Sequence, residues 1–277
     1  MYILDQKSKQ LALWLVGKTK LIFLWLSNTK AHSMAIANYL CSNMLHIIYS
    51  YAYTRESAIK EGNLEAVKIL CKNRQTKFWY MDWAAAHGQL EICKWLSENN
   101  YSCANHTIAI AASEGQLEII QYLLSIGKDC TSDTITQAAR YGHLKTVQFL
   151  IGLGKDCQKD AIDVAAENGY AEIVKFLVDS GKDCSASAIE LAAQNGHTEI
   201  IRILVNAGKK CSHYIMDQVA KNGHIETVQF LINIGCSCNI RAINLAVNYG
   251  HLEIAQILIE QRQKQLKTKL KYDETDL

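Results

Sequence analysis

Apolar residues along most of this chain fall into paired stripes that recur every 27 residues. In one clear copy Ile162, Ala165 and Ala166 stand three and four apart around a turn, a spacing that gathers them on one face of a helix. A second stripe follows at Ile173, Val174, Leu177 and Val178, again at helical spacing. Between the stripes stands a glycine. It returns as Gly62, Gly88, Gly115, Gly142, Gly169, Gly196, Gly223 and Gly250, 26 residues apart once and 27 apart thereafter. A fixed period of this length marks stacked repeats, each too small to bury its own apolar face. The pattern predicts, unit by unit, a short helix, a glycine-centred turn in the left-handed conformation and a second helix.

Seven of the eight units carry Glu three residues after the glycine, from Glu65 to Glu253, with Lys145 as the exception. That position is the first turn of the second helix, where a carboxylate meets the positive end of the helix dipole. A second series, Gly127, Gly154, Gly181, Gly208 and Gly235, follows twelve residues behind the first and is expected to end the second helix. The link to the next unit is very short, as in Gly181-Lys182-Asp183-Cys184, and is followed by Thr131, Ser185, Ser212 or Asn239 as candidate helix caps. Such a link is too short for a pair of strands, and proline is absent from the chain, so the expected class is all-α.

The stretches Ala165-Ala166-Glu167-Asn168-Gly169, Ala192-Ala193-Gln194-Asn195-Gly196-His197 and Gly250-His251-Leu252-Glu253-Ile254 resemble the ankyrin repeat, and the likeness runs from about Tyr53 to Glu260. The resemblance implies an ankyrin-like helix-turn-helix solenoid of about eight repeats that binds other proteins, its first helices lining a concave side. The family unit is about 33 residues long and opens with Thr-Pro-Leu-His. Here the unit is 27 and that tetrapeptide is missing. The lost residues all fall between the second-series glycine and the next helix, so the family's β-hairpin fingers are expected to be shortened or absent. Condensed, proline-poor units of this kind are similar in style to those multiplied in giant DNA viruses of amoebae and in some protists, a likeness that sets no specific function.

Three parts are expected: a helical N-terminal cap or degenerate repeats over 1–50, the repeat array over 51–260, and a charged C-terminal tail or helix extension over 261–277. The tail carries Arg262, Lys264, Lys267, Lys269 and Lys271. The longest apolar stretch, Leu11 to Leu26, is cut by Gly17-Lys18-Thr19-Lys20 into pieces too short to span a membrane. Asp5 argues against a secretory leader. An intracellular, cytoplasmic setting is expected, with the nucleus open. With 49% hydrophobic and 20% charged residues the chain is neither disordered nor polyelectrolytic, and a net charge of +2 gives no global reason to expect nucleic acid.

Six of the ten cysteines, Cys103, Cys130, Cys157, Cys184, Cys211 and Cys238, occupy one position per unit. Equivalent positions in stacked helices lie about 8 to 10 Å apart, beyond disulfide reach, so a ladder of small buried thiols is expected. Cys211, His213, Cys236 and Cys238 lack the spacing of a zinc knuckle. His143, His197, His224 and His251 alternate with Gln89, Gln116 and Tyr170 just after the glycine, an interchange that suits hydrogen-bonding turn residues and not metal ligands. No nucleophile elbow, phosphate loop or His-Glu-x-x-His occurs. A non-enzymatic protein with no cofactor and no metal is expected.

Recognition is then expected from positions that vary between units and face solvent. Six residues before the glycine stand Asp82, Thr136, Asp163, Glu190, Asp217 and Asn244; two before it stand Arg140, Glu167, Gln194 and Lys221. Trp79, Tyr80, Tyr141 and Tyr249 are the candidate aromatic anchors beside them, and Trp83 fits either that face or the core between units. The expected function is a monomeric scaffold holding a partner protein on this stripe. The alternative is a nucleic-acid or anionic-surface binder using the basic terminal segments.

Overall fold

A computed structural model describes residues 54–71, 79–212 and 214–273, with side chains as far as 267. The expected N-terminal cap over 1–50 lies outside the described residues, as does His213. Among those described there are sixteen α-helices and no strand, in eight pairs. The pairs are α1 (Arg55–Lys60) with α2 (Leu64–Leu70), α3 (Trp79–Ala86) with α4 (Leu90–Glu98), α5 (Thr107–Ser113) with α6 (Leu117–Ser125), and α7 (Ser132–Arg140) with α8 (Leu144–Gly152). They continue as α9 (Asp160–Glu167) with α10 (Ala171–Asp179), α11 (Ser187–Gln194) with α12 (Thr198–Asn206), α13 (Ile215–Asn222) with α14 (Ile225–Asn233), and α15 (Ile240–Asn248) with α16 (Leu252–Asp273). Two compact units divide the chain: one contains the first three pairs, the other the remaining five together with residues 112–115.

The core is the predicted double stripe. Ile162, Ala165, Ala166, Ile173, Val174 and Leu177 are buried, and their counterparts repeat the pattern in the other units apart from Arg55 in the first and the exposed Val247 in the last, while Val178 is only half-buried. Alanine pairs with no exposed surface sit where first helices pack on first helices. Larger side chains there would hold those axes apart.

Six of the eight first helices end in a pair of backbone bonds around their glycine, the exceptions being those at Gly169 and Gly223. At Gly196 (φ +75°) the Gly196 amide donates to the Ala193 carbonyl at 3.2 Å and the His197 amide to the Ala192 carbonyl at 2.8 Å. These are the two bonds of a Schellman turn, which places its glycine in the left-handed region. The turn also leaves one side of the glycine backbone bare. The imidazole of His224, from the next unit, lies on it: a Cβ added at Gly196 would stand 2.5 Å from Nδ1. His224 Nε2 donates to the Gln194 carbonyl at 2.9 Å. His143, His197 and His251 bond to Ser113, Glu167 and Lys221 carbonyls in the same way, and Gln89 donates to that of Lys60 at 3.2 Å. The expectation of hydrogen-bonding turn residues is met, with the bond reaching back one whole unit.

That reach has a cost at the second helix. Its N-cap residue, His224 in α14 or His197 in α12, makes no side-chain cap bond, because its ring is committed to the previous unit. The carboxylate in the first turn, Glu226 or Glu199, supplies the compensating charge. First helices are capped more variably. Thr54 forms a capping box with Ser57, and Asn239 accepts from the Ala242 amide at 2.8 Å. Thr131 occupies the N-cap without a cap bond, Ser185 accepts from the Ser187 amide one residue ahead of the cap, and the buried Ser212 hydroxyl finds no partner.

The second-series glycines answer only to the turn: at Gly208 (φ +82°) an added Cβ would meet nothing within 4 Å. Beyond them the link is a knuckle. Lysines and aspartates that are neighbours in sequence pair across units instead, Lys182 with Asp156 at 2.8 Å and Lys209 with Asp183 at 2.5 Å. The ammonium groups hold both carboxyls below their ordinary range. Such exposed pairs add little stability.

No disulfide joins the nine described cysteines. The ladder is less enclosed than its spacing suggests: Cys184 and Cys238 are buried, but Cys103, Cys130, Cys157 and Cys211 are half-buried, because the knuckle is packed on one side only. Burial pushes Cys93 up to about 12 and Cys71 to about 11; at Cys211, also pushed to about 12, the neighbouring Cys236 thiol adds to it.

Two outcomes follow from this packing. Gly196→Ala must both strain the turn and displace the His224 ring, whereas Gly208→Ala only strains the turn, at about 1 kcal/mol. In urea unfolding the first is expected to be the more destabilising by at least about 1 kcal/mol, and equal losses would contradict the clamp. For the thiols, the unfolded chain releases protons near 9 while folded Cys93 keeps its own to about 12. The unfolded state therefore binds fewer protons in that window. Stability is intact below pH 9 and falls as pH rises towards 12, a slope expected to shrink when Cys93 is replaced by alanine.

Candidate functional site

A helix turns about 100° per residue. In each first helix the positions seven, four and three before the glycine point inward, so those nine, five and two before it lie opposite, about 150° or more from the core direction. The position six before the glycine falls between, on the flank that meets the next first helix.

The structure places the expected site residues accordingly. Trp79, Tyr141, Glu167, Glu190, Gln194, Asn244 and Tyr249 are exposed, and Arg140 and Lys221 are half-buried. Asp82, Thr136, Asp163 and Asp217 are buried, so the premise that this column faces solvent fails at four of its six candidates. Tyr80 is buried as well. It belongs to an aromatic cluster with Trp83 (5.9 Å) and Tyr101 (6.0 Å), and the Tyr101 hydroxyl donates to the Cys71 carbonyl. Glu190 escapes burial through its longer side chain, and Asn244 because no first helix follows α15 among the described residues.

The buried column is a seam between units. Asp82 accepts from the Thr107 hydroxyl at 2.5 Å and lies 3.1 Å from His106 Nε2. Thr136 donates to Asp160 at 3.3 Å, and Asp163 accepts from the Ser185 amide at 3.0 Å. Asp82 and Thr136 each reach the position nine before the following glycine, one unit on. A buried polar group left without such a partner would cost about 1 to 3 kcal/mol, so the seam fixes which neighbour each helix accepts.

The last acid of this column differs. Asp217 is 3% exposed, and neither of its carboxylate oxygens has a hydrogen-bond partner. Arg241 Nε stands 3.4 Å from Oδ2, close enough for an ion pair but not aligned for a hydrogen bond. A groove of about 350 Å³ opens here between α13 and α15, lined by Tyr214, Asp217, Lys221, Arg241, Leu245 and Tyr249 among others. The Arg241 guanidinium lies 5.9 Å from the centre of the Tyr214 ring, and Lys221 Nζ lies 5.3 Å from that of Tyr249. Among the described residues no three His, Cys, Asp or Glu side chains gather to hold a metal ion. The groove offers charge, aromatic faces and hydrogen-bond donors, which are means of binding.

Asp217, Lys221 and Tyr249 were legible as site candidates. Tyr214 and Arg241 were missed because, Trp79 apart, the column nine before the glycine was not read as part of the face. The signal was available: nine, five and two before the glycine are spaced four and three apart, the same rule that located the core.

Removing Arg241 leaves a buried carboxylate with no counter-charge. Arg241→Ala is expected to lower stability by about 1 kcal/mol, a modest figure because the arginine is largely exposed. Adding Asp217→Asn to that variant is expected to restore most of the loss in thermal melts. An additive double variant would show that the two residues do not interact.

Comparison with known families agrees with this architecture. Models of ankyrin repeats match residues 108–188, 135–215 and 162–242 in a three-copy form, and residues 81–124 in a many-copy form. No curated protein matches the chain. The ankyrin matches together span residues 81–242, more than half of the 277, and the sixteen helices continue the same unit on both sides. The chain belongs to the ankyrin-repeat family.

Proposed function

We propose that this ankyrin-repeat chain is a non-enzymatic scaffold that holds a partner protein on the exposed face of its first helices, inside a cell. The observation that carries the reading is the division of labour within each first helix. Three positions are spent on the core and a fourth on the seam, which the position nine before the glycine completes at His106, Asp160 and Arg241, while five and two before the glycine vary without a shared packing role. Large aromatic side chains stand at the rim of that face: Trp79, Tyr141 and Tyr249 are all more than half exposed. Aromatic residues supply much contact area at little entropic cost and dominate binding hot spots. Ankyrin repeats generally serve as protein–protein interaction modules, and nine described cysteines with no disulfide among them suit a reducing interior such as the cytoplasm.

Charge reversal on the two sides of the array tests the reading. A variant carrying Glu167→Lys, Glu190→Lys and Gln194→Lys alters the first-helix face. A second, with Glu172→Lys and Glu226→Lys, alters exposed positions of second helices. Proteins captured from a cell extract are expected to be lost by the first variant and kept by the second. Retention by the first variant removes the face from consideration. Capture that is abolished by nuclease, or by ending the chain at residue 260, transfers the function to the basic tail.

A further inference from the structure

The step between α13 and α15 is built unlike the others in the column. Asp82, Thr136 and Asp163 are each joined to the following unit by hydrogen bonds. Asp217 is closed by charge alone. Its carboxylate lies behind the Arg241 side chain, 69% of which is exposed. A guanidinium has five N–H donors in a rigid fork, and one edge turned to Asp217 leaves the others available. Lys221 stands on the other helix of the groove. Each cation rests near an aromatic face, Arg241 at Tyr214 and Lys221 at Tyr249, so both are ordered before any ligand arrives. Gln218 and Leu245, which also line the groove, carry no charge. The accessible groove is therefore cationic on both walls, on a chain whose net charge is only +2.

We propose that this groove receives an acidic side chain of the partner protein, its carboxylate bound between Arg241 and Lys221 and its stem flanked by Tyr214 and Tyr249. A charge-assisted fork from arginine to carboxylate is among the stronger hydrogen-bond geometries. The volume of about 350 Å³ has room for one such side chain with adjoining backbone. A nucleic acid fits less well, since a polyanion needs a track of cations, and the same face carries exposed Glu167 and Glu190 on α9 and α11. The inference rests on the first-helix face being the binding face and names the chemistry recognised at one point of it.

The probe is a fluorescein-labelled glycine–serine peptide with three central glutamates, read by fluorescence anisotropy, with the glutamine version as its control. The glutamate peptide is expected to bind and the glutamine peptide not to. Arg241→Gln and Lys221→Gln are each expected to weaken binding about tenfold, and the paired tail change Lys264→Gln with Lys267→Gln to leave it unchanged. Lys221→Gln uncovers no buried acid, so it keeps the test valid should Arg241→Gln fail to fold. Equal binding of the two peptides, an equal loss in the tail variant, or displacement by a short single-stranded RNA in preference to the free glutamate peptide each overturns the proposal. If capture from extract depends on Glu167, Glu190 and Gln194 while the peptide ignores Arg241 and Lys221, the groove assignment fails and the face assignment stands. The converse pattern separates them the other way.

Discussion

An imidazole lying on bare glycine backbone is the contact on which the array depends. It needs a residue without a Cβ on one side, a flat or slender hydrogen-bonding side chain on the other, and a carbonyl for the ring N–H, as at Gly196, His224 and Gln194. These requirements explain several features at once. The glycine is obliged to be left-handed by its own helix end and to be small by the next unit. The histidine gives up capping its own helix, and a glutamate in the following turn offsets that loss. Gln89 and Gln116 fill the same role because a terminal amide is also planar and can donate; Tyr170 supplies the flat ring at Gly142.

The second contact between units, the polar seam six before the glycine, does a different task. Apolar packing of alanine pairs is nearly indifferent to identity, whereas a buried Asp opposite Thr107 or Arg241 is not. The steps after Asp82, Thr136, Asp163 and Asp217 thus combine a common adhesive with a private match. Where that match is made by hydrogen bonds it is complete within the fold. At Asp217 it is made by an ion pair to a largely exposed arginine, and the groove at that step keeps unspent donors.

Much of this was legible in residue order alone. Helix pairs, both glycine series, the missing finger and the first-turn glutamates all follow from spacing, since they are local and recur from unit to unit. The errors came where a position is neither inward nor outward. Asp163 and Asp217 are charged and vary between units, so sequence logic sent them to solvent, but at about 100° per residue they turn towards a neighbouring helix. Tyr80 was misplaced because its partner Tyr101 belongs to a connecting segment that carries no periodic signal. The cysteine ladder was right in identity and overstated in depth, since depth depends on what covers the knuckle and not on the period.

The first seven glycines of the first series, Gly62 to Gly223, are each matched to a residue about one unit downstream, and Gly250, in the last unit, faces nothing within 4 Å. Deleting or duplicating any whole 27-residue unit would therefore leave each remaining turn facing a valid mate, and only the private seam at the junction would change. An array held by such links can gain or lose length by recombination within its coding sequence without passing through an unfolded intermediate design. The seam, where mismatch carries a cost, then limits which lengths persist.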